Sequence, residues 1–162
     1  VPTRLTPALL LSLVALSGAA CGGDSDDPAT APGPDVAGAD PEDVEVIDAW
    51  ASALAGGDVE AAAEFFALPS IAENGLTARI ATREDARQFN ASLPCGGELV
   101  AAETQGDFTT ATFELTERPG PGRCGEGTGN EAQTAFVIEG GEIVEWRRVG
   151  LPELEETPGD AV

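Results

Sequence analysis

The sequence predicts an α+β domain, with three N-terminal helices packed on an antiparallel sheet. In the first half of the foldable segment, apolar residues recur at three- and four-residue spacing behind helix-start signals. The second half alternates in strand fashion between glycine turns. Helices followed by a run of strands place the chain in the α+β class rather than among alternating α/β folds.

Asp40, Pro41 and Asp43 open the first helix with a side-chain cap, a proline at the first helical position and an acid facing the positive helix end. Its apolar face, Val44, Ile47, Ala51 and Leu54 with Trp50 beside them, carries it to about Ala55. Gly56-Gly57-Asp58 stops this helix and caps a second, short one holding Val59, Ala62, Ala63 and Phe66, which Pro69 ends. Residues 71–80 read as extended, with a hairpin around Glu73-Asn74-Gly75. Thr82–Asp85 is a capping box for a third helix that reaches about Ser92 and is closed by Pro94.

Four strands follow: Glu98–Thr104, Phe108–Thr116, Ala132–Ile138 and Ile143–Val149. Gly106-Asp107 turns the first pair and Gly140-Gly141 the last, while a long Gly/Pro loop, residues 118–130, joins the middle two. In such a meander the loop after Thr116 returns to where the strand after Cys95 begins, so Cys95 and Cys124 should meet. Their bond would stabilise a small domain by about 3–4 kcal/mol through loop closure, in an oxidising compartment that permits it. The other reading, a reactive thiol or metal pair, has neither a histidine nor a basic cluster beside it.

The 162 residues have room for one domain. Eight basic residues, all arginine, stand against 29 acidic ones, a formal net charge of −21. Phosphate backbones would repel such a chain, so no nucleic acid partner is expected, nor a basic patch for anionic lipid. Histidine, tyrosine, methionine and lysine are absent. The commonest general base and zinc ligand go with them, as do the phenol donor and the Schiff-base amine. No cofactor and no metal is expected.

At the N-terminus, Arg4 and the apolar run Leu5–Leu16, too short to span a bilayer, read as an export signal over residues 1–20. Val1 reads as a literally translated GTG start, and the Ala, Gly, Asp and Arg bias suggests a GC-rich, actinobacterial type of genome. Leu16–Cys21, "LSGAAC", resembles the lipobox of bacterial lipoproteins, although Gly18 stands where that family prefers Leu, Val or Ile. Cys21, left over from the Cys95–Cys124 pair, would then be lipidated and hold the protein to the outer face of the cell membrane, each buried methylene adding about 0.8 kcal/mol. Ordinary secretion after Ala20 is the alternative. Residues 21–40, built of Gly, Pro, Ala and Asp, read as the lipidated cysteine and a disordered stalk. The folded domain is expected over 41–150, and an acidic loose tail over 151–162.

Two helices joined by "AGGD", a strand with "ENG", a third helix and a four-stranded sheet resemble the nuclear transport factor 2-like superfamily. Residues 46–75, "VIDAWASALAGGDVEAAAEFFALPSIAENG", look much like the opening of its polyketide-cyclase-like branch, and the resemblance covers residues 41–149. It implies a curved sheet wrapped around a long helix, a cone with an apolar pocket used for small molecules or for association. Trp50, Phe66, Phe113 and Trp146 are the candidate pocket residues and read equally as core. Of the adjacent Arg147 and Arg148, one should face the covered side of the sheet, as a partner for an inward acid or an anchor for an anionic ligand; Arg147 is the candidate.

Catalytic residues are not identifiable. Isomerase relatives need a tyrosine and dehydratase or cyclase relatives a histidine, and the chain has neither. Hydrolase relatives use an Asp-Arg-Asp relay, for which no Arg-x-Asp strand motif exists. Asp48, Glu73 and Glu114 matter only if a pocket desolvates them. The expected function is binding of a small apolar ligand or a protein partner without catalysis. The alternatives are a small isomerase, cyclase or hydrolase using a pocket acid, and a structural module that homodimerises.

Overall fold

The computed structural model describes residues 33–150. The expected export signal, Cys21 and the expected loose tail 151–162 lie outside the described residues.

Helix α1 spans Pro41–Ala55, α2 Val59–Glu64 and α3 Arg83–Ser92. The strands are β1 Asp35–Gly38, β2 Phe66–Glu73, β3 Thr77–Ile80, β4 Gly96–Gln105, β5 Phe108–Thr116, β6 Glu131–Glu139 and β7 Glu142–Val149. All seven join one open, curved sheet in the order β1-β4-β5-β6-β7-β2-β3. With the three helices this is an α+β fold of the expected cone-like kind.

The helix ends follow their local chemistry. The Asp40 side chain accepts from the Glu42 N–H ahead of Pro41, and Thr82 and Asp85 form a reciprocal capping box. The start of α1 is also pinned to the sheet. The Asp40 N–H donates to Thr104 Oγ1 at 2.7 Å, Thr104 and Thr109 share a hydrogen bond at 2.8 Å, and the Thr109 hydroxyl donates to Asp43.

Three features differ from the sequence reading. The sheet is mixed, because β1 pairs with β4 and β2 with β7 in parallel, while β4 to β7 form the expected antiparallel meander. Asp35–Gly38, read as stalk, is the edge strand β1. Its composition gives no core signal, but the unpaired edge of β4 supplies a partner for its backbone, and Val36 packs on the core.

Phe66, read as part of the second helix, begins β2. Six residues of helix have little stability of their own, and the ladder to β7 takes over, starting with the Ile143 N–H donating to Phe65 O at 2.7 Å. Pro69 then sits within a strand rather than ending a helix. The β2–β7 register shifts between Phe66 and Ile71, where a residue lacking an N–H leaves no ladder bond unmade.

The core lies between α1 and the concave face of the sheet. Ile47, Trp50, Ala51 and Leu54 line the buried side of α1. The Trp50 ring meets Phe113, Phe136 and Trp146 edge-on at 6.1, 5.5 and 6.5 Å, and Phe89 of α3 bridges Trp146 to Phe66.

Candidate functional site

Beside this aromatic cluster an apolar cleft of about 240 Å³ remains open to solvent. One wall is the second half of α1, with Trp50, Ala51 and Leu54. A second is the chain entering β4, Leu93 to Gly97. Its floor is the concave face of the sheet, with Phe113 and Leu115 of β5, Thr134 of β6, and Trp146 and Arg148 of β7.

Sheet register decides which side chains reach the floor. Phe113 stands opposite Ala132, Ala111 opposite Thr134, Thr134 opposite Arg148, and Phe136 opposite Trp146. Arg148 therefore shares the concave face with Trp146, two residues before it, and Arg147 points to the other face.

Arg147 there pairs with Glu145, approaches Glu73 at 4.0 Å and lies over the Phe108 ring at 5.7 Å. The expectation for Arg147 is thus corrected to Arg148. The signal was present in the sequence, because a residue sharing a strand face with Trp146 has to be an even number of positions away. Arg148 is exposed at the rim and forms no ion pair among the described residues.

Of the four aromatic candidates, Trp50, Phe113 and Trp146 line the cleft. Phe66 does not; it is fully buried under α3 against Phe89, so it belongs to the core alone. Cys95 and Cys124 are joined by a disulfide, and Cys95 stands in the cleft wall.

Two glycines next to Cys95, which sequence reasoning did not single out, shape that wall. A Cβ on Gly96 would lie 2.8 Å from Ala55 Cα, and one on Gly97 would lie 3.0 Å from Phe113 Cβ. Bare backbone here lets the end of α1 seat against β4.

The site's polarity is low. Asp48 is exposed on a different groove, Glu73 faces Arg147, and Glu114 is exposed, so no acid considered from the sequence enters the cleft. Among the described residues its lining holds no Asp or Glu; Asn74, Thr134 and Arg148 bring the polar side chains, with the indoles of Trp50 and Trp146. The Trp50 N–H is satisfied by Asn90 at 2.9 Å, whereas the buried Trp146 N–H has no hydrogen-bond partner among the described residues. Among the described residues, no group of three or more His, Cys, Asp or Glu side chains is placed to hold a metal.

No protein-family model matches the chain. No curated protein is significantly similar to it in sequence. Solved structures are similar in fold. A polyketide-cyclase-like protein of Sinorhizobium meliloti matches with a TM-score of 0.50 and 17% identity, over 65% of this chain and 94% of that one. A nuclear transport factor 2-like protein of unknown function from Cytophaga hutchinsonii matches with a TM-score of 0.50 and 11% identity, over 65% and 87%. A cystatin-fold protein from Novosphingobium aromaticivorans gives a TM-score of 0.50 and 14% identity, over 66% and 97%. These likenesses establish the fold of the domain.

Proposed function

We propose that this nuclear transport factor 2-like domain is a non-catalytic binding module that takes up a small apolar ligand in its cleft, at the outer face of a cell membrane to which a lipid on Cys21 anchors it. The observation that carries the binding reading is the cleft itself. Trp50, Phe113 and Trp146 are present, yet they leave about 240 Å³ beside them unfilled, with an apolar lining. Apolar wall left in contact with water is unfavourable unless something covers it, so an apolar recess of this size supports a binding role over a purely structural one.

The cyclase-like neighbour makes catalysis the rival reading. Acid–base chemistry needs a titratable group within hydrogen-bond reach of the substrate; the chain has no histidine, lysine or tyrosine, and among the described residues the cleft lining offers no carboxylate. Arginine stays protonated and is a poor general base. The lining therefore supports binding over turnover.

Native mass spectrometry of the exported, unrefolded protein tests the reading. The expected result is a small molecule that remains with the folded protein and is lost on denaturation. A clean mass, together with tryptophan emission unmoved by apolar probes, would remove the binding reading.

A further inference from the structure

We propose that the ligand is a small amphiphile, a ring-sized apolar body carrying a carboxylate, whose charge is held by Arg148 at the rim of the cleft. This rests on the binding reading above and adds the ligand's polarity and size.

The chain has 29 acidic residues against 8 basic ones, yet among the described residues the cleft lining contains an arginine and no acid. The protein's overall field repels anions at a distance, so the rim beside Arg148 is a local exception where an anion is favoured. Among the described residues Arg148 forms no ion pair, while its neighbour Arg147 is engaged by Glu145 and Glu73. Its planar guanidinium presents donors in the fork that a carboxylate accepts. Thr134, directly opposite on β6, adds a hydroxyl in the same row.

Size follows from the volume. A dry cavity of about 150 Å³ admits benzene, so about 240 Å³ suits one ring with a short chain. The aromatic walls supply edges and faces for such a ring.

Both tryptophans of the chain line the cleft, so intrinsic fluorescence reports binding directly. The probes are phenylbutyrate and its uncharged counterpart phenylbutanol. They are titrated into the full chain carrying Cys21→Ser, which prevents lipid attachment, and into the same chain with Arg148→Gln.

The acid is expected to bind about fivefold more tightly than the alcohol at low salt, the upper range for an exposed charge pair. That preference should shrink in about 1 M salt. It should vanish in Arg148→Gln while the alcohol still binds, which also shows that the variant is folded. Affinities equal within about twofold in the parent chain, or an acid preference that survives Arg148→Gln, would overturn the anionic anchor and leave the apolar cleft standing. Emission unmoved by either probe would overturn both.

Discussion

The Trp50 indole N–H donates to Asn90 Oδ1 at 2.9 Å, joining α1 to α3 inside the core. Asn90 is fully buried and held in turn by its Nδ2 donating to Ala86 O at 2.8 Å. One side chain of α3 thus sets the orientation of a ring in the cleft wall. Asn90→Leu keeps similar bulk but strands the indole donor, and should destabilise the domain by about 2–3 kcal/mol. Urea unfolding checks this: the midpoint should fall at unchanged slope, and phenylbutanol should bind the variant more weakly.

Arg118 is the arginine the structure uses most heavily within the fold. It is only 7% exposed, and its guanidinium donates to Leu93 O at 2.9 and 2.6 Å and to Asn90 O and Ala91 O at 3.2 and 3.3 Å. It caps the carbonyl end of α3, whose negative dipole offsets the burial that pushes the guanidinium pKa down. Arg118→Ala should cost about 2–4 kcal/mol by the same urea assay. Arg118→Lys should recover only part of this, because one ammonium does not reproduce the fork.

The Cys95–Cys124 bond closes a sequence separation of 29 residues. Replacing both cysteines by serine should lower stability by about 3–4 kcal/mol in the chain-entropy model. Because Cys95, Gly96 and Gly127 all line the cleft, the same double variant should also lose affinity for phenylbutanol, measured by tryptophan emission well below its denaturation midpoint.

Acid should weaken the loop between β5 and β6. Hydrogen bonds from the backbone N–H groups of Gly125 and Cys124 hold the Glu117 carboxyl below its usual 4.5. A depressed folded-state pKa contributes stability above the unfolded value and loses it as pH falls through the folded one. The stability difference between the parent chain and Glu117→Gln should therefore be constant near pH 7 and shrink below about pH 4.5, followed by thermal unfolding across that range.

Membrane attachment is read from the N-terminal sequence alone. The parent protein should partition with the membrane fraction, and Cys21→Ser should shift it to the soluble extracytoplasmic fraction. A parent protein found only in the soluble fraction would favour ordinary secretion.

Signals confined to a few adjacent residues were legible in the sequence. The Asp40-Pro41 start placed α1 correctly, the Thr82–Asp85 box placed α3, and glycine turns placed the hairpins of β4–β5 and β6–β7. These depend on backbone groups bonding to neighbours within one turn, which composition reveals. The Cys95–Cys124 bond was legible too, because the order of antiparallel strands brings their ends together.

Other features depend on partners distant in the chain. Val36 and Phe66 entered strands because β4 and β7 had edges to offer, an energy that no local window contains. The buried roles of Asn90 and Arg118 arise from where α3 ends against the loop after β5. By itself the sequence determined the class of fold, the limits of α1 and α3, the disulfide and the absence of histidine, tyrosine and lysine. Only the tertiary structure decided that the aromatic cluster leaves an open cleft and that Arg148 rather than Arg147 stands at its rim. Both depend on strand register, in which a shift of one residue carries every side chain to the opposite face.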